Sequence, residues 1–241
     1  MIHKLKLHPF YQTNGGKSGI KHTDKVRGVP QSQIDQLRGT RDHQGAKQMT
    51  WETIKEDYAR VGITITNQEA REIREAISTF TGDAYGDMRE AWDKNMQGKA
   101  HELTSYQQNL LKQYQLCNEY CKIAPTYQGV DMIHRGVIKG HTERQIAYSD
   151  KLFALKPGDK WNNDGMPTSY SSDLGIAKDF SSYGGIILHV STKSIKNTPS
   201  IKGISQCDWE NEVFVGDYNF NVKSIVDQRA KGDGHYHIYL E

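Results

Sequence analysis

Four short stretches of this 241-residue chain carry side chains suited to chemistry. In Ile133-His134-Arg135-Gly136-Val137 an arginine stands inside a strand-like run, directly before a glycine. A guanidinium buried there is unfavourable unless it meets an anion or a carboxylate. A glycine beside it lets a ligand approach the backbone, and a structural ion pair is the plainer alternative. In Gly165-Met166-Pro167-Thr168-Ser169-Tyr170-Ser171-Ser172 hydroxyls gather next to Pro and Gly. That run reads as a turn leading to a short helix with Ala177 and Phe180, capped by Ser172 or Asp173. Its functional alternative is that Thr168 or Ser169 holds a carboxylate or a sugar hydroxyl.

Trp209-Glu210-Asn211-Glu212-Val213-Phe214-Val215 sets two carboxylates two residues apart. On a regular strand both would point to one face, where they repel and perturb each other's protonation; a solvated strand edge is the plain alternative. Phe180-Ser181-Ser182-Tyr183-Gly184-Gly185 is a small-residue loop with two aromatics, suited to covering a ligand's phosphates or to connecting two elements.

The elements that must hold these residues come in two textures. A helix is predicted at about Thr50–Val61 with Thr50 as N-cap, and a second from Thr66 or Asn67, with Ile73, Ala76, Ile77 and Phe80 at helical spacing. Thr81-Gly82-Asp83 breaks the second helix. Further helices follow at Ala84–Lys94 and at Thr104–Ile123, the latter with Leu110, Leu111, Tyr114, Cys117 and Cys121 on its apolar side. After Pro125 the pattern turns strand-like, at Met132–Ile138, Ile186–Ser191, Glu212–Val215, Asn221–Asp227 and His235–Leu240, with turns at Gly216-Asp217 and Gly232-Asp233-Gly234. Helices first and strands second is an α+β order.

The whole chain has 31 basic and 29 acidic side chains, a net charge of +2. That balance conceals an asymmetry, because residues 1–65 carry 11 basic against 6 acidic groups and 66–241 carry 20 against 23. We therefore read 1–65 as a basic, partly flexible arm with one short helix, and 66–241 as the body. Gly16-Lys17-Ser18 is not a phosphate loop, since Tyr11 stands where the first glycine of that motif belongs. The longest apolar runs, such as Ile186-Ile187-Leu188, fall far short of the roughly 20 residues that span a bilayer. No apolar h-region follows the basic Met1–Leu7, so no secretory signal is expected. Three cysteines with no framework spacing argue against a disulfide-stapled fold. Cys117 and Cys121, four apart on one helical face, read as packing and no metal site is expected. His235 and His237 read as exposed positions on the last strand.

An Arg-Gly strand, then a Thr-Ser segment with Ala and Phe downstream, then Glu-x-Glu opening a strand is an order that resembles the mono-ADP-ribosyltransferases of the Arg, Ser-Thr-Ser, Glu-x-Glu class. Phe80-Thr81-Gly82-Asp83-Ala84-Tyr85 is similar to that family's Tyr-Thr-Gly-x-x-Tyr break, and Ala124-Pro125-Thr126-Tyr127-Gln128-Gly129 before the arginine strand also fits. The resemblance covers about residues 66–241. It implies a helical part followed by two packed antiparallel sheets that form a cleft for NAD, the substrate. It further implies that Arg135 binds the NAD phosphates or supports the cleft and that the backbone at Gly136 faces the nicotinamide amide. Thr168 and Ser169 fall within the Ser-Thr-Ser segment, and either one supplies the key hydroxyl. Tyr183 is implied to lie in the loop over phosphate and nicotinamide. Glu212 is implied as the catalytic glutamate and Glu210 as the group that positions and deprotonates an acceptor, an arginine of a protein.

Two departures stand out: Pro167 or Tyr170 replaces one serine, depending on register, and Cys207 stands near the place of an expected aromatic. The activity implied is that of a toxin, injected effector or phage-encoded modifier, made in the cytoplasm of its producer. An NAD glycohydrolase is a variant within the same class. A nonenzymatic module, whose basic arm binds nucleic acid or another polyanionic assembly, is the reading from a different class.

Overall fold

Threonine starts four of the six α-helices among the described residues, which are 48–140, 142–163, 165–216, 218–230 and 232–241 of the computed structural model. Residues 1–47, most of the expected arm, lie outside the described residues, as do Gly16-Lys17-Ser18 and Asp217 of the expected turn. The helices are α1 (Trp51–Arg60), α2 (Asn67–Phe80), α3 (Tyr85–Met96), α4 (Ser105–Ile123), α5 (Glu143–Phe153) and α6 (Leu174–Ser181). Thr50, Thr66, Thr104 and Thr142 each accept from the backbone N–H three residues on, and the side chain there (Thr53, Glu69, Gln107 or Gln145) answers the cap's own N–H. Each such box satisfies two helix-end donors at once. Asp173 caps α6, accepting from Gly175 and Ile176.

The apolar faces follow the helical period. α1, on the arm side of the charge asymmetry, buries Ile54 completely in the same core as the Ile73, Ile77 and Phe80 side chains of α2. Leu110, Tyr114, Cys117 and Cys121 of α4 join that core, and burial raises the Cys121 thiol to about 12. The Phe80 ring meets Phe214 edge-on at 4.8 Å, which locks the helical layer to the sheet. No helix among the described residues is long and apolar enough to cross a membrane.

The strands are β1 (Met132–Val137), β2 (Lys160–Asn162), β3 (Thr168–Ser171), β4 (Ile186–Ser191), β5 (Glu212–Val215), β6 (Asn219–Asp227) and β7 (Tyr236–Leu240). They order as β2-β6-β7-β4-β1-β3-β5. The architecture is α+β as expected, with two differences in the sheet. β4 and β7 run parallel, because the antiparallel β6–β7 pair inserts β7 beside β4 in the same direction. The two expected sheets are also one sheet that almost divides. β1 pairs with β4 along all six residues but with β3 only at His134↔Ser171. Beyond that pair β1 and β3 part.

Close packing on one face accounts for Gly136. A Cβ there would come within 2.0 Å of the Ala177 carbonyl oxygen and 2.7 Å of the Ser181 nitrogen. The close approach that demands glycine on that face is made by the backbone of α6. Neither atom can rotate away, so Gly136→Ala should lower stability by about 1–3 kcal/mol, read as a fall in the denaturant midpoint at unchanged slope.

Candidate active site

Arg135 is 1% exposed, and its Nη1 donates to the Ser169 carbonyl across the parted strands at 3.2 Å. Among the described residues it forms no ion pair with a carboxylate, so the structural alternative does not account for it. Its other polar neighbour is the Tyr85 hydroxyl at the start of α3, which also accepts from Nη1 of Arg89 at 2.9 Å. Burial opposes ionisation of that phenol, yet the guanidinium groups of Arg89 and Arg135 hold its pKa below the ordinary value. The Nε atoms of both arginines are buried without a hydrogen-bond partner. The pair lines an open cavity of about 400 Å³, together with Tyr148, Gln145 and Lys151 of α5 and Met166. Sequence reasoning missed Arg89; its signal is its place one turn after Tyr85, which sets both on one helical face.

The two glutamates do not share a strand face. Glu210 ends a 3-10 turn (Asp208–Glu210), Asn211 is left-handed (φ 52°, ψ 48°), and only Glu212 belongs to β5. The left-handed residue breaks the two-residue alternation on which the expectation rested. Both carboxylates are nevertheless buried, at 1% and 3% exposure, so a solvated edge does not describe them either. Ser205 Oγ donates to Glu212 Oε2. Ser171, directly across from Glu212, donates to the Glu210 carbonyl at 2.7 Å.

The Thr-Ser segment is a strand rather than a turn. Thr168 lies opposite Val215 and donates to the Met166 carbonyl, and Ser169 lies opposite Phe214 and offers its carbonyl to Arg135. Neither lies directly across the strand pair from Glu212; that place belongs to Ser171, a member of the same hydroxyl run. Tyr183 is 83% exposed, rests against Gly234, and donates to the Arg229 carbonyl at 3.2 Å. It does not line the arginine cavity.

Cross-strand pairing sets Glu212, Ser171, His134 and His189 in one row on one face of the sheet. Arg135 follows His134 in the chain and so points to the other face. A ligand entering where β1 and β3 part can thus reach groups from both faces. The row continues as a histidine chain. His134 Nδ1 meets His189 Nδ1 at 2.8 Å, His189 Nε2 meets His237 Nδ1 at 2.8 Å, and His237 Nε2 meets Asp233 Oδ1 at 3.0 Å. Asp233 is also paired with Lys178 at 2.7 Å, and despite partial burial Lys178 and His237 hold its carboxyl far below the usual range. An ionised carboxylate only accepts, so His237 donates from Nε2, His189 from Nε2 and His134 from Nδ1. Burial lowers His134 to about 4 and His189 to about 3, consistent with neutral rings. His235 and His237, expected on an exposed strand, are 7% and 5% exposed because α6 and the Asp233 turn cover them. Among the described residues no group of three His, Cys, Asp or Glu could hold a metal ion.

No protein-family profile and no curated protein sequence matches the chain. Solved structures do. The ADP-ribosyltransferase Vis of Vibrio splendidus, in complex with M6 inhibitor, is similar at a TM-score of 0.55 and 17% identity, over 88% of this chain and 85% of that one. The same enzyme in complex with agmatine gives 0.52 and 19%, over 88% and 86%. Exoenzyme S from Pseudomonas aeruginosa, in complex with human 14-3-3 protein beta and bound to carba-NAD, gives 0.52 and 18%, over 88% and 87%. With its helical layer set on a nearly divided sheet, the chain has the ADP-ribosyltransferase fold.

Proposed function

We propose that this protein is an NAD-dependent mono-ADP-ribosyltransferase of the toxin or effector kind, with arginine of a protein as acceptor. The observation that carries the reading is the cavity of Arg135 and Arg89, two guanidinium groups with buried, unanswered Nε donors, beside β1 where it parts from the β3–β5 pair that carries Glu212. Such a pair suits a diphosphate, whose oxygens answer forked N–H donors. Exoenzyme S in the solved complex holds a carba-NAD, and Vis holds agmatine, a guanidino compound.

In this reading the diphosphate lies on Arg135 and Arg89, with Tyr85 orienting both, and the nicotinamide ribose turns toward Glu212. The bond between ribose C1′ and the nicotinamide nitrogen breaks with its electron pair leaving on nicotinamide. Positive charge develops on the sugar, where a fixed carboxylate stabilises it more effectively than water does. A guanidine nitrogen of the acceptor then bonds to C1′ and gives up one proton, for which Glu210 is the base. Asn211 turns the chain between the two glutamates, so each addresses a different molecule.

The test is incubation with NAD labelled in the adenylate half, with agmatine or a cell lysate as acceptor. Labelled acceptor and released nicotinamide support the reading, and an unchanged NAD pool defeats it. Glu210→Ala should lose transfer by about 10²-fold or more while keeping release of nicotinamide to water. Hydrolysis with no labelled acceptor in the wild type would make the protein an NAD glycohydrolase.

A further inference from the structure

We propose that Ser205 is the positioning residue for the Glu212 carboxylate, taking the part that the hydroxyl opposite it on β3 does not play. The inference rests on the reading of Glu212 as the group that stabilises the ribosyl cation. Ser171 faces Glu212 across the strand pair, but its hydroxyl is engaged elsewhere, donating to the Glu210 carbonyl at 2.7 Å and accepting from the Asp173 nitrogen at 3.0 Å. Glu212 Oε2 is met instead by Ser205 Oγ. Ser205 Oγ in turn accepts from the Cys207 N–H at 3.1 Å. That N–H takes a lone pair of the hydroxyl and leaves its proton to the carboxylate. A carboxylate that is 3% exposed depends on such a protein donor to stay charged and in one orientation.

Ser205 is itself fixed. The next residue, Gln206, donates from its backbone to Thr81 Oγ1 at 3.2 Å and from Nε2 to the Ser78 carbonyl at 3.3 Å. Gly82 leaves the room for that side chain, since a Cβ there would lie 2.4 Å from Gln206 Nε2. On the other side, the Lys202 carbonyl accepts from Met49 N at 2.8 Å and Ile201 N donates to the Glu212 carbonyl at 3.1 Å. The Phe80-Thr81-Gly82 break at the end of α2 thereby acquires a role, seating the loop whose serine orients the glutamate.

Ser205→Ala and Ser205→Thr in the full chain, with nicotinamide release followed at varied NAD, test this. Ser205→Ala should lower kcat by about tenfold or more, the loss of one hydrogen bond to a charged group, with KM for NAD within about twofold. Ser205→Thr, which keeps the hydroxyl, should restore most of kcat, and both should melt near the wild type. A Ser205→Ala rate equal to wild type overturns the proposal and leaves the reading of Glu212 standing. A faster rate also overturns it, since the loop would then be a cover that Ser205 holds shut. A wild type that does not cleave NAD removes the reading of Glu212, and the proposal with it.

Discussion

Glu212→Gln should reduce nicotinamide release by about 10³-fold without unfolding the protein. Glutamine keeps the length of the side chain, its amide oxygen still accepts from Ser205, and its register opposite Ser171 on β3 is unchanged. What it loses is the negative charge. In a site of 3% exposure no water replaces that charge when the ribosyl cation forms. The loss should fall on kcat for both hydrolysis and transfer, whereas Glu210→Ala separates the two. Binding of NAD, proposed above to rest on Arg135 and Arg89 on the other face of the sheet, should change little. A Glu212→Gln enzyme that retained even a tenth of the rate would place the cation-stabilising charge elsewhere.

Acidification should destabilise the fold steeply. His134 and His189 are held to about 4 and about 3, against about 6.5 in an unfolded chain. Between those values the unfolded chain binds protons that the folded chain refuses. Stability therefore rises with pH across this window and is lost as pH falls below about 6.5. His189 alone should account for on the order of 3 kcal/mol by pH 4. The first cause is burial of both rings, and at His189 the contacts add to it, because its Nδ1 must stay bare to accept from His134 and a protonated ring has no bare nitrogen to offer. Asp173 near His134 and Asp233 near His237 draw protons in, but desolvation outweighs them. Lys178, on α6 over the same face, opposes a second positive charge. Urea unfolding at pH 7, 5.5 and 4 measures the slope, and His189→Phe should flatten it. A midpoint that did not move between pH 7 and pH 4 would refute neutral rings in this row.

The helices were legible because their determinants are local. Thr66 and Glu69, or Thr104 and Gln107, satisfy each other within four residues, and the apolar stripe of α2 needs no knowledge of its partner. α5 has a determinant just as local, the Thr-x-x-Gln signature of Thr142 and Gln145, although no helix is expected there from the strand-like texture after Pro125. β3 was hidden for the opposite reason. Thr168-Ser169-Tyr170-Ser171 has the composition of a turn, and it is a buried strand only because distant groups answer it, Arg135 at the Ser169 carbonyl and the Glu210 carbonyl at Ser171. The same holds for Glu210-Asn211-Glu212, where pairing of β5 with β3 begins only after Asn211 has turned the chain. His235 and His237 looked like surface residues one by one, and nothing local tied them to His134 or His189. Their burial follows from three strands, β1, β4 and β7, placing them side by side, which no local pattern records.

The lone His134↔Ser171 pair between β1 and β3 has a mechanical meaning. A sheet joined along six residues behaves as one cooperative unit, whereas one joined at a single pair can open along that line at little expense of backbone hydrogen bonds. β3 and β5, with the loop that leads to Glu212, thus form a leaf hinged on the rest, tied to it by Phe214 against the helical layer, by the Arg135 side chain and by Gln206 at the end of α2. A dinucleotide lying between the leaves would act as the missing rungs of the ladder. Amide exchange in β3 and β5 should therefore slow on ligand binding, while β4 and β7, already fully laddered, stay as they are.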